Sequence, residues 1–90
     1  MKPAEILGHL ETLTENISVN LRYEKGDFKG GLCRVNDEKI LIVNSRLSED
    51  EKIKVVAKEL SQLDLGNVYV LPAIREVIDE HAESAEEEEI

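Results

Sequence analysis

The sequence predicts an α+β domain, and three observations carry that prediction. Apolar residues recur at a helical period towards both ends of the chain. They switch to a period of two after residue 17, and glycine-rich and Asn/Asp turns punctuate the alternating stretch. Ninety residues, 41% hydrophobic and 34% charged, supply one core and leave no room for a second domain.

Pro3 suits the first turn of a helix, where its missing N–H is not needed, and Ile6, Leu7, Leu10, Leu13 and Ile17 follow at helical spacing. A helix is expected from about Pro3 to Glu15. Gly8 weakens it by ~1 kcal/mol relative to Ala, and marks either fraying or a close packing contact. Ile17, Val19, Leu21 and Tyr23 then alternate with Ser18, Asn20, Arg22 and Glu24, the pattern of a half-buried strand. Gly26-Asp27 and Gly30-Gly31 bracket a loop, Leu32 to Val35 extends, Asn36-Asp37 turns, and Ile40 to Val43 extends again. The expected arrangement is a three-stranded antiparallel meander. Ile40-Leu41-Ile42-Val43 has no polar alternation, so both of its faces are expected to be covered, inside a larger sheet or at a subunit contact.

Ser48-Glu49-Asp50-Glu51 is a capping-box signature, and Ile53, Val56, Leu60 and Leu63 make the buried stripe of the helix it opens. Gly66 is a stop signal, Val68-Tyr69-Val70 a short extended segment, and Pro72 the start of a last helix through about His81 that buries Ile74, Val77 and Ile78. If Val68 to Val70 lies parallel to Ile40 to Val43, the intervening helix is a right-handed crossover. The predicted organisation is therefore one domain over residues 1–82: an N-terminal helix, a meander, a helix, a short extended segment and a C-terminal helix. An acidic disordered tail is expected over residues 83–90.

The formal charge of -9 is unevenly spread. Residues 1–75 hold all 11 bases and 12 acids, while residues 76–90 hold the other 8 acids and no base. A salt-adapted acidic surface is excluded, because its excess would be general. Glu86 to Glu89 repel one another and offer nothing apolar to bury, so the tail reads as a solvated end, or as a site for a basic partner or divalent cation. Nucleic acid is not expected as a partner. The best basic stretch, Arg22, Lys25, Lys29 and Arg34 with Tyr23 and Phe28 interleaved, is countered by Glu24 and Asp27 and reads as an exposed hairpin. The longest aliphatic run, Ile40 to Val43, falls far short of the ~20 residues of a membrane span, and polar residues follow Met1-Lys2-Pro3. A cytoplasmic protein without membrane contact is expected. Cys33, the sole cysteine, fits a reducing compartment.

Two resemblances add to this reading. Gly30-Gly31-Leu32-Cys33-Arg34-Val35, then Lys39 to Asn44, then Leu47-Ser48 and the helix ending Val56-Ala57-Lys58-Glu59-Leu60-Ser61-Gln62 together resemble the core of the ImmA/IrrE-type zinc peptidases. The likeness spans roughly residues 30–72, with Val70-Leu71-Pro72 standing where that family has a short apolar segment ending in proline. The resemblance implies a zincin-like core with the general-base position at Glu59, but the two zinc-ligand positions fall at Lys58 and Gln62. An ammonium group repels a divalent cation and an amide is a weak zinc ligand, so the scaffold implied has no zinc and no peptidase activity. Gly30-Gly31-Leu32-Cys33-Arg34 and Leu71-Pro72-Ala73-Ile74-Arg75-Glu76 also resemble segments of small bacterial proteins to which no function is attached.

No catalytic motif is complete. The weak candidates are Glu59, Lys58 and Cys33. Cys33 is a nucleophile only if a neighbour generates its thiolate, and otherwise a small side chain packed beside Val35. Lys58, Glu59 and Gln62 form either a polar pocket floor or a solvated helix face. His9 and His81 make no metal site alone, and no metal or other cofactor is predicted. Phe28, as a hairpin-tip anchor or a core-facing ring, and Tyr69 are the candidate binding residues. The functional expectation is a non-catalytic interaction or regulatory module with a protein partner or a second copy of itself. The rival is a hydrolase-like or thiol enzyme using a degenerate zincin-like cleft around Glu59, which requires Glu59, Lys58 and Cys33 to converge.

Overall fold

A computed structural model of the chain describes the backbone of residues 1–88 and the side chains of residues 1–82. The order is α1 (Pro3–Asn16), β1 (Val19–Glu24), β2 (Gly30–Val35), β3 (Glu38–Asn44), α2 (Glu49–Leu60) and α3 (Pro72–Glu88). The α+β class and the sequence of helices and strands are those the periodicity predicts.

Local chemistry explains the ends of these elements. Pro3 opens α1, which buries Leu7, Leu10, Leu13 and Thr14. Gly8 does not mark a close approach, since a Cβ there would meet only open space. Ser48 caps α2, its hydroxyl accepting the Glu51 N–H at 3.2 Å. Asn36 and Asp37 take φ of 50° and 69°, the left-handed pair that a two-residue hairpin turn needs and that Asn and Asp tolerate best after glycine. α3 runs past the expected end at His81. Of the expected disordered tail, residues 83–90, the backbone of residues 83–88 continues α3, while the side chains of residues 83–90 and the backbone of 89–90 lie outside the described residues.

The sheet corrects the expected meander. Its order is β1-β3-β2, with β3 in the centre. β1 runs parallel to β3, from Val19 opposite Lys39 to Glu24 opposite Asn44, whereas β2 runs antiparallel, from Gly30 opposite Val43 to Val35 opposite Glu38. The cause lies in residues 25–29, which do not turn back beside β1 but cross the end of β3. Asn44, at that end, is buried and holds the crossing: its side-chain amide donates to the carbonyls of Gly26 (3.0 Å) and Phe28 (2.7 Å). Its Oδ1 accepts the Arg46 N–H at 3.0 Å, and its own N–H donates to the Lys29 carbonyl at 2.9 Å. Gly30 completes the entry to β2 with φ of 150°, where a Cβ would collide with the Ile42 carbonyl oxygen. Arg22, Lys25, Lys29 and Arg34 thus do not share a hairpin, because β3 separates β1 from β2.

Both edges of β3 are therefore occupied, and Val68 to Val70 cannot pair with it. The expected parallel segment is an irregular connection in which Val68 and Val70 pack against the core while Tyr69 points outward. Consequently α2 is not a crossover between parallel strands. It lies over β3 and β2, α1 lies over β1, and α3 packs on α2 and α1 without touching a strand among the described residues. The core is the layer between: Leu41, Val43 and Val19 of the sheet meet Leu10, Leu13, Val56, Leu60, Ile74 and Ile78 of the helices. Tyr23 ties the two layers at the margin, donating its hydroxyl to Glu11 at 2.5 Å with the Lys52 ammonium 5.3 Å from its ring centre. Burial, then the hydrogen bond to Glu11 and its negative charge, hold the Tyr23 phenol above its usual range.

Two substitutions test this account. Asn44→Ala strips two loop carbonyls of their donor and is expected to cost about 2 kcal/mol in denaturant unfolding, and Asn44→Asp more at neutral pH, because a carboxylate then faces those oxygens. Gly8→Ala, in open space on a helix, is expected to add about 0.5 to 1 kcal/mol in the same assay.

Candidate functional site

Two surfaces carry chemistry, and the sheet stands between them. The first is a cavity of about 350 Å³ between α2 and the start of β2. Helical spacing brings Glu51, Val55, Lys58 and Glu59 to one side of α2, with Lys54 beside them, and the crossing loop delivers Lys29 and Gly30 opposite. Gly30 lets the strand approach closely, since a Cβ there would also touch the Val55 side chain at 3.0 Å. Burial pushes the Glu59 carboxyl above its ordinary value of 4.5, and the neighbouring Lys58 ammonium pulls it part of the way back. Lys58 and Glu59 are thus brought together at a cavity wall, while Gln62 does not line it.

The second surface is the sheet face turned away from the helices. Side chains alternate along a strand, and directly opposed residues share a face. Leu41 with Leu21 and Leu32 therefore point to the helices, and Ile40 and Ile42 point away together with Cys33 and Val35 of β2 and Asn20, Arg22 and Glu24 of β1. Ile40 and Ile42 are half-buried yet form no part of the core cluster, and Val35 is 51% exposed. Among the described residues, the doubly apolar strand is covered by helices on one face only. The β1 side of this open face is polar, with Arg22 Nη2 paired to Glu24 Oε1 at 3.2 Å and Asn20 donating to Glu38 at 3.4 Å. The β2 side is apolar up to the sheet edge.

Cys33 is exposed on this open face instead of packed in the core, and it does not meet Lys58 and Glu59, which line a cavity on the helix side. Phe28 is 40% exposed in the crossing loop, its ring folded against Gly26, where a Cβ would collide with it. Tyr69 is 77% exposed and lines a separate cleft of about 220 Å³ with His9, Thr12 and Asn16 of α1. Phe28 and Tyr69 therefore do not form one surface. Among the described residues no cluster of three or more His, Cys, Asp or Glu is placed to hold a metal ion, and no helix is long and apolar enough to cross a membrane.

Two structural features are not predicted from the sequence, the hold of Asn44 on the crossing loop and the outward pairing of Ile40 and Ile42 with Val35. The missing polar alternation in residues 40–43 was the available signal for the second. Comparison with family models, curated proteins and solved structures finds no match to the chain.

The Glu59 environment has a pH consequence. A carboxyl whose folded pKa is raised contributes stability that is fully present below its unfolded value, near 4.5, and lost as pH rises through the folded value. Glu59→Gln should therefore leave the thermal midpoint at acid pH nearly unchanged and raise it at pH 7, as differential scanning calorimetry across that range would register.

Proposed function

We propose that the protein is a non-catalytic interaction module that engages a protein through the open face of its sheet and the adjoining β2 edge. One observation carries this reading: Ile40, Ile42, Cys33 and Val35 form an apolar stripe that no described helix covers and that runs out to the unpaired outer edge of β2. A strand with one solvated face ordinarily turns polar side chains to it, so an apolar stripe on such a face is the mark of a contact surface. The polar β1 side supplies the rim that such surfaces have. The separation of Cys33 from Glu59 and Lys58 supports the same reading, since the thiol enzyme needs all three groups in one cleft.

A second reading is kept for the Glu59 cavity, because a carboxyl that burial holds above its ordinary value is suited to proton transfer. The resemblance of this helix to the zincin core belongs to that reading. It gains nothing from Cys33, and it is a hydrolase-like site of Glu59 and Lys58 alone.

Affinity capture with the full chain as bait separates the two. Ile42→Glu places a charge at the centre of the open face without entering the core, so a folded variant is expected to lose a partner that the wild type and Glu59→Gln both capture from host-cell lysate. Capture that survives Ile42→Glu and disappears in Glu59→Gln would move the function to the cavity.

A further inference from the structure

The free edge of β2 has a readable hydrogen-bond phase. The two-residue turn at Asn36-Asp37 makes Val35 and Glu38 a hydrogen-bonded pair, and the Asn44 N–H donates to the Lys29 carbonyl. Alternation then turns the main-chain groups of residues 29, 31, 33 and 35 towards β3. Those of Gly30, Leu32 and Arg34 point out of the sheet, and no backbone bond among the described residues reaches them. The strand has no proline and no bulge, and Arg34 is its one charged side chain, so the edge is left largely open to pairing.

We propose that the partner of this edge is a second copy of the chain, with β2 pairing antiparallel to β2 across a two-fold axis at Cys33 and the two three-stranded sheets becoming one. The proposal rests on the reading of the open face and β2 edge as a contact surface, and names the occupant of the edge.

Geometry and charge select the register. Directly opposed residues in an antiparallel pair share a face, so the two-fold axis must pass through a residue and not between two. An axis at Arg34 sets two guanidinium groups opposite each other. An axis at Leu32 sets Val35 against Lys29 and leaves Cys33 facing Gly31. With the axis at Cys33, Leu32 and Arg34 of one copy exchange N–H and C=O groups with Arg34 and Leu32 of the other. Val35 then covers Gly31, filling the gap left by the missing side chain, and the Lys29 end of one strand meets Asp37 in the turn of the other, twice by symmetry. Charge therefore complements across the seam, and Ile40, Ile42, Val35 and Cys33 of both copies join into one apolar surface. The acids that dominate the net charge lie beyond Arg75, on α3 and after it, and α3 touches no strand among the described residues.

In this register the two Cys33 residues oppose each other at a position without main-chain bonds, where Cα atoms stand about 4.5 Å apart, within the range a disulfide spans. The thiol is thus a probe of register. Sedimentation equilibrium on the reduced full chain is expected to show a dimer. Diamide, which accepts the two protons and two electrons that the two Cys33 thiols give up on forming a disulfide, should lock it covalently through Cys33. Arg34→Pro removes an outward N–H that β3 does not use and is allowed on an edge strand. It should weaken the dimer roughly tenfold or more with the circular dichroism spectrum unchanged. Lys29→Asp and Asp37→Lys should each weaken it, and the double exchange should restore it. A folded monomer at about 100 µM, in the range of weak association, overturns the proposal, as does a dimer indifferent to Arg34→Pro or one that diamide does not lock. If such a monomer still captures a host protein in a manner sensitive to Ile42→Glu, self-pairing falls and the contact surface stands; without that capture both fall.

Discussion

The fold depends on how one asparagine holds one loop. Residues 25–29 carry the chain across the end of β3, and a crossing of that kind exposes peptide carbonyls over the sheet end unless something donates to them. Asn44 does so from within, with two amide donations to the loop, an accepted bond from Arg46 and a main-chain bond to Lys29. Its burial makes these bonds more valuable, since no water replaces them. The crossing in turn puts β3 between β1 and β2, and with both edges of β3 filled, the later segment at Val68 to Val70 is left to pack as irregular chain.

A central β3 also decides which side of the sheet is dry. α1 settles over β1 and α2 over β3 and β2, and α3 closes the helical layer from outside. The buried core of the described residues is gathered on one side, where Leu41 and Val43 are fully covered. A domain of this size buries a limited share of its surface, so leaving Ile40, Ile42 and Val35 outside the core sets aside apolar area that one core of this length would ordinarily use. Coverage by a protein surface would recover it.

The same partition keeps the two chemistries apart. Glu59 and Lys58 belong to the helix side, next to a cavity walled by the start of β2, and Cys33 belongs to the open side. A single-residue alternation along β2 is enough to separate them, since Leu32 turns in and Cys33 turns out. Phe28 and Tyr69 are separated by a different cause: one is folded back over Gly26 in the crossing loop, and the other stands on the connection to α3 beside α1.

The sequence alone determined the helices and strands of this protein, because periodicity, the proline starts, the Ser48 cap and the Asn36-Asp37 turn act through neighbours a few residues away. It also marked Lys58 and Glu59 as one helix position and residues 40–43 as an unusual strand. The tertiary structure decided the order of the strands, the exposure of Cys33, the pairing of Lys29 and Gly30 with α2 around a cavity, and which face of β3 stays open. Each of these turns on the path of residues 25–29 and on the Asn44 contacts sixteen and eighteen residues back along the chain. Local sequence cannot specify such contacts, because a glycine-bracketed loop is compatible with either a tight return or a crossing, and only the long-range hydrogen bonds distinguish the two.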